Sequence, residues 1–277
     1  MGLGHFYIKK QGQPEIDLTA SVDCIDVLKV DYGSPQITPQ YLTLAGSDGE
    51  QVQTVIFNPS IITLHVNIEA DSAESFSVAM DDVYRLIMSR ELIRIRDDVE
   101  PFKCAYVIPK PFDVSQADGM YDTTFDIQFD NPYGFKFSVK NSDEVVEDDE
   151  LIGLGMHLPL EYPIPFKFTD SRFKVFNPSD VAIDPYVNRH QLKITISGQG
   201  SFTIQNVTNN TSLQCTHVLQ GSDVFVLDGV RSYLNGKSIG LETDFGHLQL
   251  EQGDNEIAIT GLNNPNVTFS FPFIYLR

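Results

Sequence analysis

Tryptophan is absent from this chain. With it goes the residue that most often forms the flat platforms of sugar sites. Cysteine is nearly absent too: Cys24, Cys104 and Cys215 lie far apart, and an odd number cannot all pair within one chain. That excludes a disulfide framework and a spaced zinc motif. The expectation is free, mostly buried thiols in a protein folded in a reducing cytoplasm. No apolar run approaches the ~18 residues that span a bilayer. The opening MGLGHFYIKKQGQPEIDL lacks a cationic segment followed by an apolar one. We therefore expect a soluble protein with no export signal and no membrane partner. The Asn-x-Ser/Thr matches at Asn206, Asn209 and Asn266 then read as chance. Positive charge is also short: 19 Lys and Arg stand against 38 Asp and Glu, a formal charge of −19. Such a field repels nucleic acid and acidic membranes. It argues against a DNA- or RNA-binding module, which shows a basic face. Solubility alone would account for it.

The motifs of catalysis are missing as well. No two of His5, His65, His157, His190, His217 and His247 lie three or four apart, so no helix face offers paired histidines to a metal. No Gly-x-Ser-x-Gly elbow, phosphate loop or dinucleotide fingerprint occurs. The short Gly-Leu-Gly runs at Gly2 and Gly153 read as flexible linker. Glu91 and Asp97/Asp98 flank a strand, but carboxylates this abundant always produce pairs, and the spacing marks no acid and base. Phe166, Phe168, Phe173 and Phe176 could serve sugar binding, yet packing on a core is the better reading. We assign no catalytic, cofactor-binding or metal residue, and no cofactor.

What the chain has is apolar and aromatic pattern. It runs to 277 residues, with 19 Phe and 11 Tyr, enough for real cores and a β-leaning composition. One amphipathic helix stands out from Ser72 to about Arg90. Phe76, Ala79, Met80, Val83, Leu86 and Ile87 form its buried stripe, with Asp71 or Ser72 as cap and Glu74 in the first turn. Before it, Ile62, Leu64, Val66 and Ile68 alternate with polar residues as a half-buried strand. Leu92 to Ile95, Cys104 to Ile108 and the alternating Phe125, Ile127 and Phe129 read as further strands. The last closes at the turn Asn131-Pro132-Tyr133-Gly134.

An acidic stretch, Asn141 to Glu150, reads as a solvated linker. It sets the expected domains at 1–150 and 151–277. Beyond it come short strands: Gln191 to Ser197, Ser201 to Asn206, Ser212 to Val218, Val224 to Leu227, Leu248 to Leu250, Asn255 to Ile259 and Val267 to Tyr275. Turns are expected at Gly198-Gln199-Gly200, Asn209-Asn210, Gly221-Ser222-Asp223, Asn235-Gly236, Gln252-Gly253-Asp254 and Asn263-Asn264-Pro265. Strands spaced this way indicate a sandwich or jelly roll.

The order of these pieces resembles a known family. Gly46-Ser47-Asp48-Gly49, then strands, then a helix ending Tyr84-Arg85-Leu86-Ile87-Met88, then Thr123 to Tyr133, is similar to the N-terminal domain of siphophage distal tail proteins from phages of Gram-positive bacteria. Asn177-Pro178-Ser179-Asp180, Asp184 to Val187, Leu192 to Gly198, Ser201 to Thr208, the hairpin Leu250 to Ile257 and the closing strand Phe269 to Tyr275 resemble that family's galectin-like second domain. The hairpin departs from the family in carrying Gln-Gly-Asp-Asn where Pro-Gly is frequent. The resemblance implies a mainly β fold, with an N-terminal ring-forming β-sandwich-like domain and a C-terminal galectin-like β-sandwich. It implies a homohexameric ring at the distal end of a phage tail, made in the host bacterial cytoplasm. Its expected partners are the major tail tube protein, the tail-associated hub protein and receptor-binding or baseplate proteins, with the genome passing through a channel without specific binding. It implies no catalysis and no cofactor. The alternative is a carbohydrate-binding adhesin acting in host cell-wall recognition.

Overall fold

In the computed structural model, residues 4–46, 48–114, 121–145, 155–158 and 164–277 are described. The chain is mainly β, and it divides into two units, Met1–Phe137 with Leu276–Arg277, and Ser138–Tyr275. It therefore passes between the units twice. Part of the acidic stretch and Gly153 lie outside the described residues; within that stretch Ser142–Glu144 forms a 3-10 turn.

In the first unit, β1 (Phe6–Lys9) and β2 (Ile16–Asp17) lead into a four-residue helix, α1 (Leu18–Ser21). Then come β3 (Ile25–Asp31), β4 (Gln36–Leu42), β5 (Gln51–Asn58), β6 (Ser60–Glu69) and the long helix α2 (Ala73–Ile87). β7 (Ile93–Asp97), β8 (Lys103–Pro109) and β9 (Asp122–Asn131) follow, and β10 (Lys136–Asn141) begins in this unit and ends in the second. The antiparallel order β2-β1-β7-β8-β9-β6-β3 makes the main sheet, while among the described residues β4 and β5 pair only with each other.

The helix forms where the periodicity predicts it. Ser72 caps it, its hydroxyl accepting the Ser75 amide, and Glu74 sits in the first turn. Ala79, Met80, Val83 and Ile87 pack into one cluster with Ile62, Leu64, Val66 and Ile68 of β6. The helix ends at Ile87, three residues short of the expected Arg90, where Met88 turns to extended backbone at φ −63° and ψ +130°. Lys10 Nζ donates to the carbonyls of Arg85 at 2.9 Å and Met88 at 2.8 Å, satisfying helix-end acceptors with a cation. The Asn131-to-Gly134 turn is also present: the Gly134 amide donates to Asn131 O, at φ +70°. A Cβ on Gly134 would stand 2.3 Å from Asn58 O, so only glycine fits.

The second unit contains β11 (Lys167–Phe168), β12 (Arg172–Asn177), β13 (Lys193–Asn206), β14 (Thr211–Leu219), β15 (Phe225–Asp228), β16 (Arg231–Leu234), β17 (Lys237–Ser238), β18 (Gly253–Thr260), β19 (Asn263–Ser270) and β20 (Pro272–Tyr275). Asn235 and Gly236, at φ +50° and +79°, join β16 to β17 as the expected two-residue hairpin turn.

Four expectations need correction here. The two strands expected on either side of Gly198-Gln199-Gly200 are one, β13, which bulges there instead of turning. Its first half pairs with β15 and β19, its second with β14 and β18, so one strand serves both layers. A Cβ on Gly200 would sit 2.4 Å from Gly261 O, so these glycines admit a close backbone. The turn expected at Asn263-Asn264-Pro265 falls earlier, at Gly261-Leu262, and β19 begins at Asn263. Leu248 to Leu250 is not a strand: Leu248 and Leu250 are buried, but the only ladder there is a single bridge from Leu250 to Ile183.

The long closing strand is in fact β19 and β20. They break at Phe271, whose carbonyl accepts the Ser142 amide and whose amide donates to Ser142 Oγ. β19 stays beside β13, and β20 pairs with β10. The Leu-x-x-Gly-x-Asn hairpin turns on Gly253, at φ +78°, and on the fully buried Asn255. The Asn255 side chain accepts from the Glu251 amide and from Asn206 Nδ2, and donates to the carbonyls of Glu251 and Gly253.

Candidate assembly surfaces

The residues considered for chemistry are kept apart. Glu91 is exposed, Asp98 accepts the His5 amide, and Asp97 is buried under the Tyr32 hydroxyl at 2.7 Å. The histidines go to separate partners: His5 to Asp17, His65 to Asp126 and Asp31, His157 to Asp180, His217 to Glu242, while His247 stacks on Tyr186. His190 Nδ1 lies 3.0 Å from Ala182 O. Among the described residues no His, Cys, Asp and Glu side chains are grouped to hold a metal ion. Cys104 and Cys215 are buried, and Cys24 is exposed. Burial pushes the Cys104 thiol up to about 12, far from a nucleophile. Phe168 stacks on Phe173 at 4.1 Å, and Phe166 packs edge-on to Phe271, so these rings are internal packing; Phe176 is half-buried.

Two surfaces of the first unit stand out instead. One is the outward pleat of β3, β6 and β9. While Ile62, Leu64, Val66, Ile68, Phe125 and Ile127 face the core, the other side carries Asp26, Asp31, Glu69, Asp122, Asp126 and Asp130. Lys29 and His65 meet Asp31, which Lys29 holds below the usual carboxylate range. Glu69 stands directly opposite Asp122, an arrangement that weakens a sheet.

The other is the β4–β5 hairpin, which periodicity could have revealed and our sequence reading missed. Ile37 pairs with Phe57, Pro39 with Val55 and Tyr41 with Val52, so six apolar side chains share one face. A bulge at Gln40/Tyr41 makes this alignment. In an unbroken ladder Tyr41 would meet Gln53, and Val52 would turn to the polar face. Phe57 is anchored on Phe135, ring centroids 5.2 Å apart. Pro39 is half-buried, and the others are open: Ile37 is 57% exposed, Tyr41 53%, Val52 62% and Val55 47%.

A third feature is internal to the first unit. The carboxylate of Glu100 binds Lys136 Nζ at 2.5 Å and Lys103 Nζ at 2.9 Å, and Lys136 lies 3.3 Å from the centre of the Tyr32 ring. Lys103 also donates to the Arg277 carbonyl, tying the chain's last residue to this unit. Burial works to raise the Glu100 carboxyl, but the hydrogen bonds from Lys136 and Lys103 outweigh it and leave it below its ordinary value.

Comparison with known proteins gives these surfaces a setting. Residues 12–131 match the model of the phage tail protein RIFT-related domain. That match lies wholly within the first unit. Over nearly its whole length the chain shares the fold of a solved phage protein. The crystal structure of SPP1 Dit (gp 19.1), described as a paradigm of the hub adsorption apparatus in phages infecting Gram-positive bacteria, matches with a TM-score of 0.68. The match covers 97% of this chain and 99% of that chain at 15% identity. Structures of the phage p2 baseplate in its activated conformation, with Sr and with Ca, match at 14% identity over 97% of each chain, with TM-scores of 0.46 and 0.47. No curated protein matches.

Proposed function

We propose that the protein is the distal tail connector of a siphophage: a homohexameric ring at the tail tip that joins the tail tube protein to the hub and offers a platform to receptor-binding or baseplate proteins. The observation that carries this reading is the tail-domain match over residues 12–131, seated in a chain whose whole fold follows SPP1 Dit. In this reading the first unit builds the ring, the second is a galectin-like domain projecting from it, and the chain performs no catalysis and needs no cofactor. The acidic pleat of β3, β6 and β9 supports passage of a genome without adsorption, because it repels phosphate. The carbohydrate-binding alternative is not favoured: Phe166 and Phe168 are buried, and Phe173 stacks on Phe168.

The test is the mass of the purified chain in solution with negative-stain imaging of the particles. Six-copy rings with a central hole are the expected result. A chain that stays monomeric on the tail tube and hub, and whose second unit binds a cell-wall glycan, overturns the proposal.

A further inference from the structure

We propose that His65 is a proton-operated clasp within the first unit. Its imidazolium form ties β3 and β9 together across β6, and loss of one ring proton releases one of the two ties. This goes beyond the tail reading and stands without it.

The contacts themselves require the charged ring. His65 lies on the outward side of β6, with Nδ1 2.5 Å from Asp126 Oδ1 on β9 and Nε2 3.1 Å from Asp31 Oδ2 on β3. An ionised carboxylate only accepts hydrogen bonds, and a neutral imidazole has a single N–H. A neutral ring can therefore serve one of these carboxylates while its bare nitrogen faces the other. The imidazolium serves both. Imidazole is ordinarily a stronger base than a carboxylate by roughly 2–3 units, so a proton between the two belongs to the ring. Asp31 is itself ionised: Lys29, at 2.5 Å, and then His65 hold its carboxyl below the usual range.

The backbone brings these groups together. β3 bulges between Val27 and Lys29, which sets Lys29 opposite His65 and Asp31 opposite Thr63. In an unbroken ladder continuing from Val27 and Val66, Lys29 would meet Leu64 and Asp31 would meet Ile62, both on the core side. One extra residue thus puts both charges on the face of His65. The outward neighbours of the ring are Thr63 and Asn67 on β6 and Thr124 and Gln128 on β9, none of which titrates. Asp26, opposite Asn67, is the next charge along β3. Asp31, Lys29 and Asp126 are therefore the groups that set the state of the clasp.

Histidine is the side chain whose charge changes between about pH 5 and pH 8. With the ring charged, both ties form, and His65 and Lys29 stand as cations among the six carboxylates of this pleat. With the ring neutral, one tie opens and the pleat loses one of those cations. β3 ends the strand order of the sheet, so it is the strand that opening frees.

The experiment is hydrogen exchange of the full-length protein at about pH 5.5 and about pH 8, corrected for intrinsic exchange rates. Peptides of β7 serve as the reference within the same unit. In the parent, protection of β3 relative to β7 should fall at least about threefold from the lower to the higher pH, the size of one ordinary hydrogen bond. His65→Gln removes the titrating ring. Asp126→Asn supplies an amide that donates to the bare Nδ1, so the clasp stays closed in both ring states. Either variant should change by less than about 1.5-fold between the two pH values, since neither gains or loses a hydrogen bond there. At the higher pH, Asp126→Asn should protect β3 more than the parent does. The two variants alter the clasp from its two ends, and circular dichroism shows which of them folds; either one decides. Protection of β3 that does not change with pH in the parent, or that falls equally in a folded variant, overturns the proposal.

Discussion

Replacing Glu100 by glutamine should destabilise the first unit by about 2–3 kcal/mol. The side chains of Lys136 and Lys103 are only 5% and 8% exposed, and Glu100, at 32%, is the carboxylate hydrogen-bonded to both. Removing one partner of a buried ion pair typically costs ~3–5 kcal/mol, because a buried charge is left uncompensated. The figure is lowered here because water reaches about a third of Glu100, and because Lys136 keeps the Tyr32 ring and Lys103 keeps the Arg277 carbonyl. Changing Lys136 to methionine as well should recover most of the loss, since an apolar replacement removes the stranded charge. The assay is urea unfolding read by hydrogen exchange of first-unit peptides, so that the two units are followed separately. The cluster also sets a pH dependence. The folded Glu100 carboxyl lies below its ordinary value, so at pH values between the two the unfolded chain binds more protons. Stability from this group is therefore complete above about pH 5 and is lost as pH falls through and below the ordinary glutamate range near ~4.3. Loss of less than about 0.5 kcal/mol in Glu100→Gln, the size of an ordinary surface change, would refute the reasoning.

Other outcomes follow from the same structure. Gly200→Ala should destabilise the second unit by about 2 kcal/mol, because its Cβ meets Gly261 O and its φ is +123°; urea unfolding reads it, and a neutral effect would remove the bulge argument. Native thiol titration should label Cys24 quickly, while Cys104 and Cys215 react only on unfolding; rapid reaction of all three would contradict the burial. Changing Asp122, Asp126 and Asp130 to asparagine should slow genome ejection from assembled phage, and unchanged ejection kinetics would count against a channel role for that pleat.

Much of the architecture is legible in single segments. The stripe on α2, the alternation of β6 and β9, the Asn131-to-Gly134 turn and the Asn235-Gly236 hairpin are all set by residues within a few positions of one another. A side-chain period and a turn residue are local properties, and the chain carries them before it folds. Glycine is where that legibility ends. At Gly134 it makes the expected turn, whereas at Gly198 and Gly200 the same residue admits a neighbouring backbone within an unbroken strand. Composition is equal in the two cases, and only the partner strand distinguishes them.

The candidate surfaces divide in the same way. The acidic alternation of β9 can be read directly, but the apolar face of the hairpin depends on one extra residue in the ladder. The ion cluster joins positions as distant as Tyr32, Glu100, Lys136 and Arg277, and Lys10 hydrogen-bonds the end of a helix that lies more than sixty residues away. The sequence by itself determined the kind of element at α2, β6 and β9 and the side each would bury. Tertiary structure decided register, strand partner and the meeting of distant charges, because these depend on contacts whose closure entropy is overcome only when the whole core forms.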